Sequence, residues 1–174
     1  EGAAPEWVAR VQAAAPGCLV YNHYGPTETT VGVLTYRCDP AEPPSGATLP
    51  LSRAVANTEI FLLDASLRAT APGAVGELYI GGVCLARGYL GVGRNAAGFV
   101  TIPAAEGGER VLYRTGDLAR QRGDGALEIL GRKYRQVKLR GYRIELAQVE
   151  QVLRQAPGVA QAAVITDRDG APAS

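Results

Sequence analysis

CLVYNHYGPTETT, residues 18–30, changes character at its midpoint. Its first seven residues are a short apolar run of strand type. Gly25-Pro26 stops that run with a turn. Three hydroxyls and one carboxylate then crowd together: Thr27, Glu28, Thr29 and Thr30. Oxygen ligands on a loop at the carboxyl end of a strand suit Mg2+ with phosphate. The plainer reading is a capping loop, with Thr27 or Thr29 capping a helix and Glu28 favouring its dipole. Taken alone, this stretch favours the plainer reading.

Working outward, PEWVARVQAAA (5–15) sets Trp7, Val8, Val11 and Ala14/Ala15 at helical spacing. Pro5 fits a first turn and Pro16-Gly17 a stop. VGVLTYR (31–37) predicts a second strand, and DPAEPPSG (39–46) a Pro-rich loop. From 55 to 90 the pattern is β, with TEIFLLD (58–64), ELYIGG (77–82) and GVCLARGYL (82–90) in succession. RVLYRTGDLARQ (110–121) reads as a strand plus a turn, and ALEILGR (126–132) makes a hairpin with it. VKLRG (137–141) is another short strand. IELAQVEQVLRQAPG then predicts a helix with Ile144, Val149, Val152 and Leu153 on one face. VAQAAVITD (159–167) predicts a strand whose hairpin mate would lie past the last residue, which leaves an unpaired edge.

The composition narrows the class. The chain has 174 residues, 47% hydrophobic and 20% charged, which suits one globular domain or a small domain with the start of another. This apolar content excludes disorder as the whole-chain reading. Eighteen Lys and Arg against 17 Asp and Glu give a net charge of +1. That balance offers no electrostatic case for nucleic acid or a membrane surface. Cys18, Cys38 and Cys84 include no CxxC pair, so neither a zinc site nor a disulfide framework is expected. His23 is the single histidine, so no other histidine can serve a Ser-His-Asp triad. EGAAPEWVAR is not a signal peptide, and no window reaches the roughly 20 apolar residues of a membrane span. The cytoplasm is the expected compartment. Methionine is absent, which fits either a removed initiator or a piece of a longer chain.

Three further segments carry chemistry or its imitation. YRTGDLAR (113–120) predicts a turn that exposes Asp117, and a carboxylate beside a glycine can accept two hydrogen bonds from a ribose diol. An Asp-stabilised turn is the plainer reading. GRKYRQVKLRGYR (131–143) is basic, and Arg132, Arg140 and Arg143 have the geometry to hold phosphates. A solvated hairpin face explains it equally, and nucleic acid fits poorly because the rest of the chain cancels the charge. GVGRNA (91–96) matches G-x-G-x-x-A but lacks a strand–glycine–helix context, so it is read as a connection.

In their order, NHYGPTETT, GELYIGGVCLARGYL, YRTGDLAR and GRKYRQVKLRGYRIEL resemble four successive core motifs of the adenylation domains of nonribosomal peptide synthetases. PLSRAVANTEIFLLD (50–64) resembles the segment between the first two, so the likeness spans nearly the whole chain. It implies an α+β chain: a β-rich, distorted-barrel subdomain of the large adenylation domain over 1–132, then a hinge and the start of the small α/β subdomain over 133–174. It implies ATP-dependent activation of an amino acid to an acyl-adenylate and pyrophosphate. The acyl group then passes to a phosphopantetheine thiol of a peptidyl carrier protein. Asn22 would meet the adenine edge, Tyr24 would stack on the ring, and Ile129 would cover its other face. Thr27 would lie beside the phosphates, Glu28 would bind Mg2+, Asp117 would hold the ribose hydroxyls, and Arg132 would reach ribose or phosphate. His23, Val31 and Gly32 would line the amino-acid pocket, with a small polar or acidic substrate such as Asp or Asn expected.

Two positions depart from the family pattern. The hinge, usually acidic, is Tyr134, and the glycine usual before Arg53 is Ser52. The family's phosphate loop and the aspartate that grips the substrate amine are expected before residue 1. Its adenylating lysine is expected after residue 174, since the two lysines present, Lys133 and Lys138, both belong to the basic motif. The resemblance therefore implies an incomplete domain, inactive in isolation. An inserted methyltransferase after Ser174 is an open alternative. So are a non-catalytic scaffold module and an acyl-CoA or aryl-acid ligase of the same superfamily.

Overall fold

The computed structural model describes residues 5–39, 41, 48–91, 93–94, 98–105, 107–133, 136–139 and 142–165. The chain divides into two compact units, Glu1–Gly131 and Arg132–Ser174.

The first unit opens with helix α1, Pro5–Ala14. Val8 is the helix residue buried in the core, packed with Cys38 and Leu49. Trp7, expected on the inner face, is mostly exposed. A helix this short turns one narrow stripe inward, and that stripe runs through Val8 rather than its larger neighbour.

Strands β1 (Val20–Tyr24), β2 (Leu34–Cys38) and β3 (Arg53–Ala54) form an antiparallel sheet in that order. A second sheet runs β4 (Thr58–Leu63), β5 (Val75–Gly82), β7 (Glu109–Gln121), β6 (Phe99–Pro103), with β8 (Leu127–Arg132) also paired to β7. The two sheets are laced together just before β3. Leu51 exchanges both backbone hydrogen bonds with Leu127, at 2.8 and 2.7 Å, while Arg53 and Ala54 pair with β2. The first unit is thus a curled half-barrel, mostly β with one helix, as the α+β reading expects.

Its interior is filled from both sheets. Leu34, Leu51, Leu78 and Ala119 form one buried cluster, and Tyr24, Leu127 and Ile129 pack against it. β5 is buried on both faces along most of its length, Glu77 included.

The structure corrects the reading of 110–121. No turn interrupts this segment: β7 is continuous for 13 residues. Tyr79 pairs with Arg114 and Glu77 with Leu118, so residues 115–117 stand opposite Leu78 alone. Gly116, at φ 75°, absorbs the bulge without a Cβ clash. The Thr115 hydroxyl donates to the Leu78 carbonyl at 2.8 Å and accepts the Asp117 N–H at 3.0 Å, replacing the lost ladder bonds. Turn-forming residues here serve a bulge, and Asp117 lies inside a strand.

In the second unit, β9 (Gln136–Leu139) pairs antiparallel with β10 (Tyr142–Glu145), and α2 (Leu146–Arg154) follows. Ile144 sits in β10 opposite Val137, not on the helix face expected of it. Residues 159–165, expected as a strand, join no sheet among the described residues, and a strand without a partner leaves its ladder unmade. Tyr134, Arg135 and Arg140 lie outside the described residues.

Candidate active site

On β1 the side chains alternate, so Asn22 and Tyr24 share one face and His23 takes the other. The Asn22 amide donates to the carbonyls of Leu49 and Pro50, at 3.4 and 3.3 Å. With its NH2 held this way, the acceptor oxygen has a defined direction. Tyr24 donates its hydroxyl to Asp117 Oδ2, across 93 residues of sequence. Asp117 is 5% exposed. The turn-exposed carboxylate expected from the sequence is therefore buried and already hydrogen-bonded. Ile129 packs against the same cluster as Tyr24, so three strands bring Tyr24, Asp117 and Ile129 to one place. Arg132, the last residue of β8, is exposed.

After β1 the chain makes a single 3-10 turn, Thr27–Thr29. Its N-cap is Pro26, with no side-chain capping bond, so neither Thr27 nor Thr29 caps a helix. Thr29 is fully buried and donates back to the Pro26 carbonyl at 3.1 Å. Thr27 is exposed. Thr30 and Val31 both take left-handed backbone conformations, at φ 63° and 69°. This tight return brings the Val33 N–H to the Tyr24 carbonyl at 2.9 Å. It also leaves Val31 63% exposed and sets Gly32 beside His23: a Cβ on Gly32 would lie 3.4 Å from His23 Nδ1. Of the three residues expected at the amino-acid pocket, Gly32 therefore lies beside His23, and Val31 precedes it, exposed, in the same turn.

Glu28 is 9% exposed, and its Oε1 accepts a hydrogen bond from the Tyr89 hydroxyl. Burial, and next the bond to Glu28, push the Tyr89 phenol far above its ordinary range, so it stays a donor. The loop carrying Tyr89 is tied to the turn twice more. Ala86 N–H donates to the Glu28 carbonyl at 2.8 Å, and the Thr30 hydroxyl donates to the Cys84 carbonyl at 2.7 Å. Tyr89 itself was not legible as a site residue. It stands in GVCLARGYL, but nothing local reports a partner 61 residues away.

Among the described residues no three His, Cys, Asp or Glu side chains gather as a metal site. Glu28 offers a single carboxylate, and Mg2+ would accept that donor with its remaining positions taken by phosphate and water. The Cys38 thiol is buried and pushed up by desolvation, with a backbone bond from Asn22 opposing. A thiol so placed is not a nucleophile.

A family model for AMP-binding enzymes matches residues 1–90. The chain belongs to the AMP-binding enzyme family. It is 47% identical over 173 residues to one of the linear gramicidin synthase proteins of Brevibacillus parabrevis, a match that covers 98% of this chain and 3% of that protein. It is 47% identical over 145 residues to the phosphinothricin tripeptide synthetase PhsB of Streptomyces viridochromogenes, covering 83% of this chain and 12% of the relative. The solved structure of holo-PA1221, an NRPS protein containing adenylation and PCP domains bound to a vinylsulfonamide inhibitor, matches with a TM-score of 0.79 at 34% identity. That match covers 98% of this chain and 30% of the solved one. The chain is thus a portion of an AMP-binding adenylation domain of the nonribosomal peptide synthetase kind, and spans only a small part of its relatives' length. No helix of the described residues is long and apolar enough to cross a membrane.

Proposed function

We propose that this AMP-binding chain supplies the adenine, ribose and metal-facing wall of an amino-acid-activating site in a larger adenylation domain. The observation that carries this reading is the Tyr24–Asp117 hydrogen bond, which joins an aromatic face to a buried carboxylate at the rim of one apolar cluster. A ring that stacks beside a carboxylate that accepts from a diol is what a nucleoside requires. Asn22 Oδ1 accepts from the adenine amine, and Tyr24 and Ile129 take the two faces of the ring. Asp117 accepts from the ribose hydroxyls, and Thr27 and Arg132 donate to phosphate.

In the reaction, a substrate carboxylate oxygen bonds to the α-phosphorus of ATP as the bond to the departing pyrophosphate breaks. Glu28 would hold Mg2+, which when bound would neutralise charge on the phosphates. The chain's own part is positioning, with no covalent step on the protein. His23, Val31 and Gly32 face the amino acid, and a small polar or acidic side chain suits the space beside Gly32. A hinge at Tyr134, between parts 1–132 and 133–174, and transfer to a carrier-protein phosphopantetheine complete the proposed cycle. The proposed compartment is the cytoplasm, and the purified 174-residue chain alone would show no exchange.

Asp117→Asn tests the reading. It keeps the shape and the Tyr24 contact but removes the charge that strengthens the ribose bonds, which is worth about 2 kcal/mol. In the complete adenylation domain carrying this chain, the KM for ATP in amino-acid-dependent pyrophosphate exchange should rise about 30-fold, in line with that energy. The amino-acid KM should move little. An unchanged ATP KM would remove Asp117 from the nucleotide site. Running the same assay with aryl and fatty acids separates amino-acid activation from the other ligase readings.

A further inference from the structure

Glu28 is held by more than its own turn. The loop that follows β5 is folded on itself by paired backbone bonds between Tyr89 and Gly93, at 2.9 and 2.8 Å. The Arg94 guanidinium fastens it, donating to the carbonyls of Ala86 at 2.9 Å and Leu85 at 3.4 Å. Arg94 also lies over the Phe99 ring, 5.9 Å from its centroid. The Tyr89 ring packs edge-on against Phe99, and Phe99 against the buried Tyr113, at 6.1 and 5.2 Å. This aromatic stack leaves the Tyr89 phenol little choice of direction, and it is aimed at Glu28 Oε1.

We infer that Tyr89 is a positioning residue that sets how Glu28 meets a divalent cation and thereby which cation it prefers. The inference rests on the reading of Glu28 as the metal carboxylate. A phenol donating to Oε1 fixes the carboxylate plane and disfavours chelation of one ion by both oxygens. Mg2+ demands short, near-octahedral contacts and suits a carboxylate oxygen presented singly. Ca2+ is larger and readily accepts a bidentate carboxylate. Groups that hydrogen-bond a metal ligand typically change metal affinity about 10- to 100-fold when removed. Tyr89 therefore tunes the site for the smaller ion without touching it.

The test uses the complete adenylation domain carrying this chain. Tyr89→Phe keeps the ring stack and deletes the donor. Mn2+ binding is read from its electron paramagnetic resonance signal in the presence of α,β-methylene-ATP, which removes turnover from the measurement. Mn2+ affinity should weaken about tenfold. In pyrophosphate exchange, half-saturating Mg2+ should rise by a similar factor, and the preference for Mg2+ over Ca2+ should narrow. Arg94→Ala loosens the same loop but keeps the phenol, and should shift Mn2+ affinity far less. Unaltered Mn2+ affinity and ion preference in Tyr89→Phe, with Glu28→Gln strongly impaired, would overturn the inference alone. Equal shifts in Tyr89→Phe and Arg94→Ala would reduce Tyr89 to loop packing and overturn it as well. Wild-type Mn2+ affinity in Glu28→Gln would instead remove the metal reading of Glu28, and this inference with it.

Discussion

Replacing Gly25 with alanine should destabilise the half-barrel by about 3 kcal/mol and cut adenylation at least 100-fold. A Cβ at this position would lie 1.9 Å from the Val31 carbonyl oxygen, 2.7 Å from its carbon and 3.0 Å from the Val33 nitrogen. All three atoms are backbone, so no side chain can rotate out of the way. The backbone is also fully committed there. Tyr24 C=O holds Val33 N–H at 2.9 Å, and Pro26 C=O holds both Thr29 and Val31 N–H, at 3.0 and 3.2 Å. Relief requires the two limbs of the turn to part, which breaks those bonds and moves Glu28 away from Tyr89. On the proposed reading, activity falls because Glu28 as the metal carboxylate and Val31 and Gly32 of the amino-acid pocket share this one turn. Val31→Gly makes the contrasting case. Val31 is a β-branched residue at φ 69° with most of its surface exposed, so glycine relieves strain of about 1 kcal/mol and loses little burial. Urea denaturation of the complete adenylation domain checks both. Wild-type stability in Gly25→Ala would mean the turn is looser than its contacts imply.

Much of this architecture was legible because local signals and tertiary outcome agree. β4 and β5 form where strand patterns predict them, and Gly25-Pro26 ends β1 where the turn occurs. The failures have physical causes. Thr115-Gly116-Asp117 has turn composition, yet β-pairing on either side keeps the strand going and converts the turn into a bulge. The same conversion buries Asp117, so the carboxylate was found but its surroundings were not. Ile144 satisfies a helical period and a strand equally, and pairing with Val137 decides for the strand. Trp7 shares the helical spacing of Val8 and Val11, yet Val8 is the buried residue of α1 and Trp7 is exposed. For the proposed site, motif order points to Asn22, Tyr24, Glu28 and Asp117. Tyr89, the Tyr24–Asp117 bond and the fixing of Asn22 by Leu49 and Pro50 could not, because each joins segments that only the fold brings together.

Arg114→Leu should be the most destabilising single change in β7, at about 4 kcal/mol. Glu77, next to the Leu78 that faces the Asp117 bulge, is 3% exposed. Arg114 meets it with both ends of its fork, Nε to Oε1 at 2.8 Å and Nη2 to Oε2 at 3.2 Å, and Tyr79 approaches Oε2 at 3.5 Å. Removing the guanidinium leaves a charge in the sheet interior that no longer has its bidentate partner, and such a charge costs far more than the pair itself contributes. The reverse truncation is milder, because Arg114 is about one-third exposed and water can solvate its charge. The double variant Glu77→Leu with Arg114→Leu should recover more than half of the loss, since a buried ion pair replaced by apolar groups is often neutral. The three variants form a cycle with a definite sign. Equal losses from the two single changes, or a double variant no better than Arg114→Leu, would mean that the pair contributes through shape rather than charge. The bulge gives the cycle a functional readout. Its bonds run from Thr115 to Leu78 and to Asp117, one residue beyond the Glu77–Arg114 pair on each strand. If the double variant restores stability and also the ATP KM, the ion pair serves only the fold. If stability returns while the KM stays raised, the same pair also holds the bulge that aims Asp117 at the nucleotide.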